Sequence, residues 1–252
     1  MPDKTNSALL LAGQVYIATY GDGDVVGKLA GPFEVDQLEL TPGSDTKELL
    51  SRRPGMYGQV RATVQIPKST DLAISFGSVD RLTLTMALLG SQVLKSQASG
   101  DVVNQNLTVT EKGVWFELGK KDISAVVVKN DFNDVTYVAG TDYEVNERLG
   151  LISILESSAI ATNAVLHVSY HHAASSDVEI AGSVVNQVKA RIVFDGVNLV
   201  DQRPVSVEID QAVLAPSGGF DVMASDFSKV PLKGKVVTVA GKSEPYRVRL
   251  SN

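Results

Sequence analysis

The chain has 252 residues, an apolar share of 44 %, a charged share of 21 %, a formal net charge of −6 and no cysteine. This is the composition of a folded protein long enough to bury its own core, as one large β domain or two small ones. It excludes disulfides, thiolate metal sites and cysteine nucleophiles, and the acidic balance argues against a protein that grips nucleic acid through clustered phosphate contacts.

Near the start, Lys4 precedes the short apolar run 8–12. That run is too short for a secretory segment, and no stretch approaches the roughly 20 apolar residues of a membrane span, so synthesis and folding in the cytoplasm is the expectation. A first strand is predicted over 9–20, closed by the turn Gly21-Asp22-Gly23-Asp24, and a second over 33–40, the two reading as a hairpin. From 41 to 58 the strand pattern fails. Pro42, Gly43, Pro54 and Gly55 bracket a charged stretch and the pair Arg52-Arg53, which predicts a long loop of the kind usually kept for function.

Val60, Ala62, Val64 and Ile66 then alternate with Arg61, Thr63 and Gln65, the pattern of a half-buried strand, and 71–76 gives another. One helix is predicted over about 78–89, with Ser78 as N-cap, Val79, Leu82, Met86 and Leu89 at helical spacing, and Gly90 as the C′ stop. A strand competes there, because Leu82, Leu84 and Met86 also alternate. Residues 91–106 are polar and read as an exposed connection. Six short strands follow, at 107–118, 123–128, 135–138, 143–146, 151–155 and 165–170, at the even spacing of a sandwich or small barrel lobe. Beyond the polar segment 173–177 come strands at 184–194, then Asp195-Gly196 as a tight turn, then 204–209, 213–216 and 230–250. The predicted fold class is mainly β, a sandwich or barrel with one flanking helix. The predicted organisation is a single domain over 1–252, with 104–174 either a β-rich insert lobe within it or a part of the main sheet.

Chemistry-bearing motifs are sparse. Gly21, Gly23 and Gly27 miss the dinucleotide spacing and no helix follows them; Asp22 and Asp24 open a calcium-like spacing that fails at Val26, as Asp131 and Asn133 fail at Val135. His167 and His171 would share one strand face about 13 Å apart while His172 points the other way, so a common ion would need a bulge, and a surface-exposed strand end is the simpler reading. No catalytic residue, cofactor or metal is predicted.

The order of segments carries a resemblance. Lys47-Glu48-Leu49-Leu50-Ser51-Arg52-Arg53-Pro54-Gly55-Met56-Tyr57-Gly58, then Ser75-Phe76-Gly77-Ser78-Val79-Asp80-Arg81-Leu82 and Met86-Ala87-Leu88-Leu89-Gly90, resembles the first half of the major tail proteins of long-tailed bacteriophages. Ala190-Arg191-Ile192-Val193-Phe194-Asp195-Gly196, Val213-Leu214-Ala215-Pro216 and Ala224-Ser225-Asp226-Phe227 look like that family's closing strands, and 136–152 is similar to a stretch of some members.

The resemblance implies a β-sandwich flanked by a helix, subunits joined in hexameric rings, and rings stacked into the hollow tail tube of a virion, through which DNA passes without specific binding. It implies a tape-measure protein and tail terminator or tail-tip proteins as partners. It also implies that the segment 41–58 orders against a neighbouring ring, which makes Glu48, Leu50, Arg52, Arg53 and Tyr57 the candidate inter-ring contacts. An adhesin-like binding module and a β-sandwich hydrolase with carboxylate catalysts remain the alternatives, the latter disfavoured by six per cent aromatics and one Trp.

Overall fold

The computed structural model describes residues 8–21 and 25–251. The predicted turn at 21–24 and the calcium-like spacing within it therefore lie mostly outside the described residues, as does Lys4. The fold is mainly β, with one helix among the described residues and several antiparallel sheets. It divides into two compact units, one of residues 1–92 with 180–252 and the other of residues 93–179. The expected insert at 104–174 falls inside the second unit.

The first unit is built from β1 (Leu11–Thr19), β2 (Ala30–Phe33), β3 (Val35–Leu50), β4 (Val60–Phe76), α1 (Arg81–Ala87), and, after the excursion, β13 (Val188–Asn198), β14 (Pro204–Pro216), β15 (Val230–Val236) and β16 (Tyr246–Leu250). Its sheet runs β2-β1-β13-β14-β15-β4-β3, with β16 added beside β14. Only Glu34 separates β2 from β3, yet these are the two ends of the strand order. The sheet must therefore curl until its ends meet, and the rings of Phe33 and Phe76 pack edge to face at 5.9 Å where they do. Val15, Ile17, Leu72, Ile74, Ile192, Ile209 and Leu214 fill the interior.

Several sequence signals resolve differently in the folded unit. Asp195-Gly196 is no turn but the middle of β13, where Asp195 pairs with Gln14 and Gly196 with Gly13. The glycines are there for close approach: a Cβ on Gly196 would lie 2.5 Å from the Ala12 carbonyl oxygen and 2.6 Å from the Phe194 ring. The helix is capped by Asp80 rather than Ser78. The Asp80 carboxylate accepts the Thr83 N–H at 2.7 Å and the Thr83 hydroxyl accepts the Asp80 N–H at 2.8 Å, a reciprocal box that Ser78 has no partner to build. At the other end Leu89, not Gly90, takes positive φ, while the Gly90 N–H reaches the Thr85 carbonyl at 2.8 Å. Gly90 is small because a Cβ would meet the Ala181 carbonyl oxygen at 2.8 Å.

The second unit holds β6 (Gly100–Thr108), β7 (Trp115–Glu117), β8 (Ile123–Asn130), β9 (Tyr143–Asn146), β10 (Leu151–Ile154) and β11 (Val165–His172). They form two three-stranded sheets, β7-β10-β9 and β6-β11-β8, around Val109, Ile123, Val128, Ile152, Leu166 and Val168. The chain enters along β5 (Ser91–Gln97) and returns along β12 (Ser175–Ala181), which pair with each other. The polar stretch 91–106 is thus mostly strand, and 175–177 opens β12, since exposed ladder positions can carry polar side chains. The predicted strand at 135–138 contributes one isolated bridge, Lys129 to Thr136.

Candidate functional site

The predicted long loop at 41–58 does not exist as a loop. Thr41 through Leu50 continue β3, and paired positions run from Gly43↔Lys68 out to Leu50↔Val60 as a two-stranded ribbon beyond the rest of the sheet. Pro42 and Gly43 misled the pattern because β3 is an edge strand. A proline there forfeits no ladder bond on its open side, and the register shifts at this point, between Thr41 and Gly43.

The ribbon closes with two successive tight turns. The Met56 N–H reaches the Arg53 carbonyl at 3.1 Å across Pro54-Gly55, and the Gln59 N–H reaches the Met56 carbonyl at 3.2 Å across Tyr57-Gly58. Gly55 and Gly58 sit at φ 79° and 83°, the third position of a type II turn, where Pro is favoured one residue earlier. Ser51 is buried at their base, its N–H bonded to the Gln59 carbonyl at 2.7 Å and its carbonyl to the Gly58 N–H at 2.9 Å. The tip is a built structure, not a slack tether.

Every residue from 52 to 69 is exposed. On one face of the ribbon stand Ala62, Val64 and Ile66, with Lys47 opposite Val64 and Leu49 opposite Ala62; Thr46, Glu48, Thr63 and Gln65 form the other, and a register shift beyond Leu49 sets Val60 opposite Leu50. A register shift between Thr41 and Gly43, with one extra residue on β4, separates this row from Leu72, Ile74 and Phe76, which enter the core. Alternation that buries a strand at one end runs on past the core with nothing to cover it. Val64 and Leu49 are each 59 % exposed, and Tyr57 at the tip is 80 % exposed.

The candidate contacts Glu48, Leu50, Arg52, Arg53 and Tyr57 all fall on this one ribbon: Glu48 opposite Thr63, Leu50 opposite Val60 at a register shift, the two arginines and Tyr57 at the tip. Missing from that set is the row Ala62, Val64, Ile66 with Leu49, whose β4 residues were read from their alternation as half-buried. The signal was present, but one sequence cannot say whose core the row faces.

Charge is distributed unevenly. Residues 93–179 hold 12 of the 29 carboxylates and 6 of the 23 Lys and Arg, so the second unit carries the whole formal −6 and the first balances 17 against 17. Within the first unit the ribbon 43–68 is basic, with Lys47, Arg52, Arg53, Arg61 and Lys68 against Asp45 and Glu48. Asp45 is taken up by Lys68 at 2.6 Å.

Elsewhere the side chains do not converge on chemistry. A concavity of about 670 Å³ within the second unit is lined by Lys95, Lys121 and Arg148 against Asp122, Asp177 and Glu179. His171 pairs with Asp101 at 2.6 Å, His167 lies 3.7 Å from Asp131, and His172 is buried rather than at an exposed strand end, because β11 turns alternate side chains inward. Among the described residues no three potential metal ligands lie together. Asp142 is held below the usual carboxylate range by the Val138 N–H and the Ser158 hydroxyl, and burial pushes the Tyr143 phenol up.

A family model described as protein of unknown function UCP028589 matches residues 8–246. The chain belongs to that family. No curated protein matches this member of the family. The match runs across both units, so the ribbon, the curled sheet apart from β16 and the two-sheet second unit all lie within the span that the family model describes.

Proposed function

We propose that this protein is a structural subunit that assembles with copies of itself, as a tail-tube protein of a long-tailed bacteriophage does, in hexameric rings stacked into a tube that conducts DNA. The observation that carries the reading is the exposed apolar row Ala62, Val64 and Ile66, with Leu49 opposite Ala62, on a ribbon that projects from the sheet. A regular, turn-locked hairpin with one apolar face is built to be covered, and soluble monomers rarely keep such a face open. The 16-residue edge strand β3 adds a row of unpaired backbone groups, a second invitation to association. A first unit balanced in charge and a second that is acidic give passing DNA little counterion-release gain, which supports a conduit rather than a nucleic-acid binder. On this reading the protein works in the virion, with tape-measure and tail-tip or terminator proteins as neighbours.

The test is negative-stain electron microscopy of the purified chain across a concentration series, with sedimentation velocity on the same samples. Rings or hollow tubes of uniform width are the expected result. A monodisperse monomer at every concentration, persisting after addition of tail tips, would remove the tube reading in favour of a binding module.

A further inference from the structure

The segment joining β14 to β15, residues 217–229, displays Val222, Met223 and Phe227 at 83 %, 89 % and 89 % exposure. These are among the most exposed large apolar side chains of the molecule, and they lie together in thirteen residues. Asp221 and Asp226 flank them and order the segment locally, accepting the Met223 N–H at 2.9 Å and the Phe227 N–H at 2.7 Å. Lys229, the one cation of the segment, is drawn off to Asp36 at 2.7 Å. What remains presented is apolar and acidic.

The ribbon tip is its complement. Arg52 and Arg53 stand beside Met56 and Tyr57, and no carboxylate occurs between Leu49 and Arg61. The two features also lie at opposite ends of one strand: the tip leads into Val60, the first residue of β4, while the 217–229 segment leads into Val230, which pairs with Phe76, the last. Sixteen steps at about 3.3 Å separate those ends by up to about 50 Å. The pair is therefore placed to meet between copies rather than within one, and a contact between unlike surfaces that does not close on itself propagates as a stack.

We propose that the ribbon tip of one copy docks on the 217–229 segment of a second copy in the next ring, Arg52 and Arg53 against Asp221 and Asp226 with Met56 and Tyr57 packed on Val222, Met223 and Phe227. This rests on the self-assembly reading above and names the receptor for its projecting ribbon. Both surfaces are sites where a few exposed aromatic, Met and Arg side chains can carry most of a contact.

The experiment uses the full chain in two charge-reversed forms, Arg52→Glu with Arg53→Glu, and Asp221→Arg with Asp226→Arg. Each alone is expected to raise the concentration needed for tubes at least tenfold, while far-ultraviolet circular dichroism and the unfolding midpoint stay at wild-type values, as fits substitutions at exposed positions. Mixing the two forms restores assembly, because each reversed tip then finds a reversed receptor and each natural tip a natural one. A chain carrying all four changes assembles alone. Tubes from either reversed form at the wild-type concentration, or no restoration in the mixture and the four-fold variant, would overturn this contact while wild-type tubes keep the assembly reading intact. A wild-type chain that stays monomeric even after addition of tail tips would overturn both.

Discussion

Replacing Val64 and Leu49 by threonine separates a surface meant for a partner from one that merely faces water. Both changes keep or add β-branching on an exposed strand, so the isolated subunit should shift by no more than about 0.5 kcal/mol. In an assembly the outcome differs. Each side chain is 59 % exposed, so covering it removes a little over half of its surface from water. At about 1.5–3 kcal/mol for complete burial, that is about 1–2 kcal/mol per residue, which a buried hydroxyl would forfeit. The two together weaken each inter-subunit contact by about 2–4 kcal/mol, or roughly 30- to 700-fold in the concentration at which tubes appear. Sedimentation velocity measures that concentration, and urea denaturation of the dilute subunit measures the fold. Tubes appearing at the wild-type concentration would refute the argument that the row is an assembly face; an unfolding midpoint that dropped with assembly would show that the row stabilises the subunit itself.

Other perturbations test the parts that hold the ribbon in place. Gly196→Ala drives a methyl into the Ala12 carbonyl and the Phe194 ring, and should destabilise the first unit by several kcal/mol or prevent its folding, read as loss of soluble protein or a lowered urea midpoint. Gly55→Ala meets no neighbouring atom but forces an alanine to φ near 79°, so a cost of about 1–2 kcal/mol should appear as faster amide exchange at the tip with little change in global stability. Asp142 is expected to confer acid sensitivity. Its carboxyl is lowered in the fold by the Val138 N–H and the Ser158 hydroxyl, so the unfolded chain binds the extra proton; the stabilisation is complete above the unfolded value near pH 4 and fades as pH falls through the lower folded value. Asp142→Asn should flatten that part of the stability profile below pH 4, and an unchanged profile would count against the assignment. Tyr143, raised by burial, acts at the other extreme: its contribution is present below the unfolded value near pH 10 and lost as pH climbs past it, a loss that Tyr143→Phe should abolish in alkaline unfolding curves.

Strand identity was legible along most alternating runs, though Leu82, Leu84 and Met86 alternate within the helix. The runs beginning at Val60, Ile123, Tyr143, Leu151 and Val165 are strands in the structure because period-two patterning reports a pleated surface whatever covers it. Turn chemistry misled where the same residues serve a strand: Pro42 and Gly43 fit an edge with a register shift, and Asp195-Gly196 fits the close approach of β13 to β1. Polar composition hid β5 and β12, whose residues meet water on a ladder as readily as in a loop. Of the candidate contacts, the charged and aromatic residues of the tip could be named from their loop-like setting. The apolar row beside them could not, because alternation gives a buried face without saying which molecule buries it.

That ambiguity is itself informative about function. Along β4 the buried residues Phe76, Ile74 and Leu72 give way, past a register shift, to the exposed Ile66, Val64 and Ala62, so the surroundings change from core to solvent while apolar residues still recur at every second place. A chain whose only requirement was its own stability would gain from polar residues on that outer half, where apolar ones add aggregation risk and nothing to the monomer. The two type II turns and the buried Ser51 that anchors them fix the tip, and the paired strands below it leave the apolar row exposed. Geometry and patterning thus favour the same arrangement, in which the outer half of β4 and the strand beside it are completed by the surface of another copy.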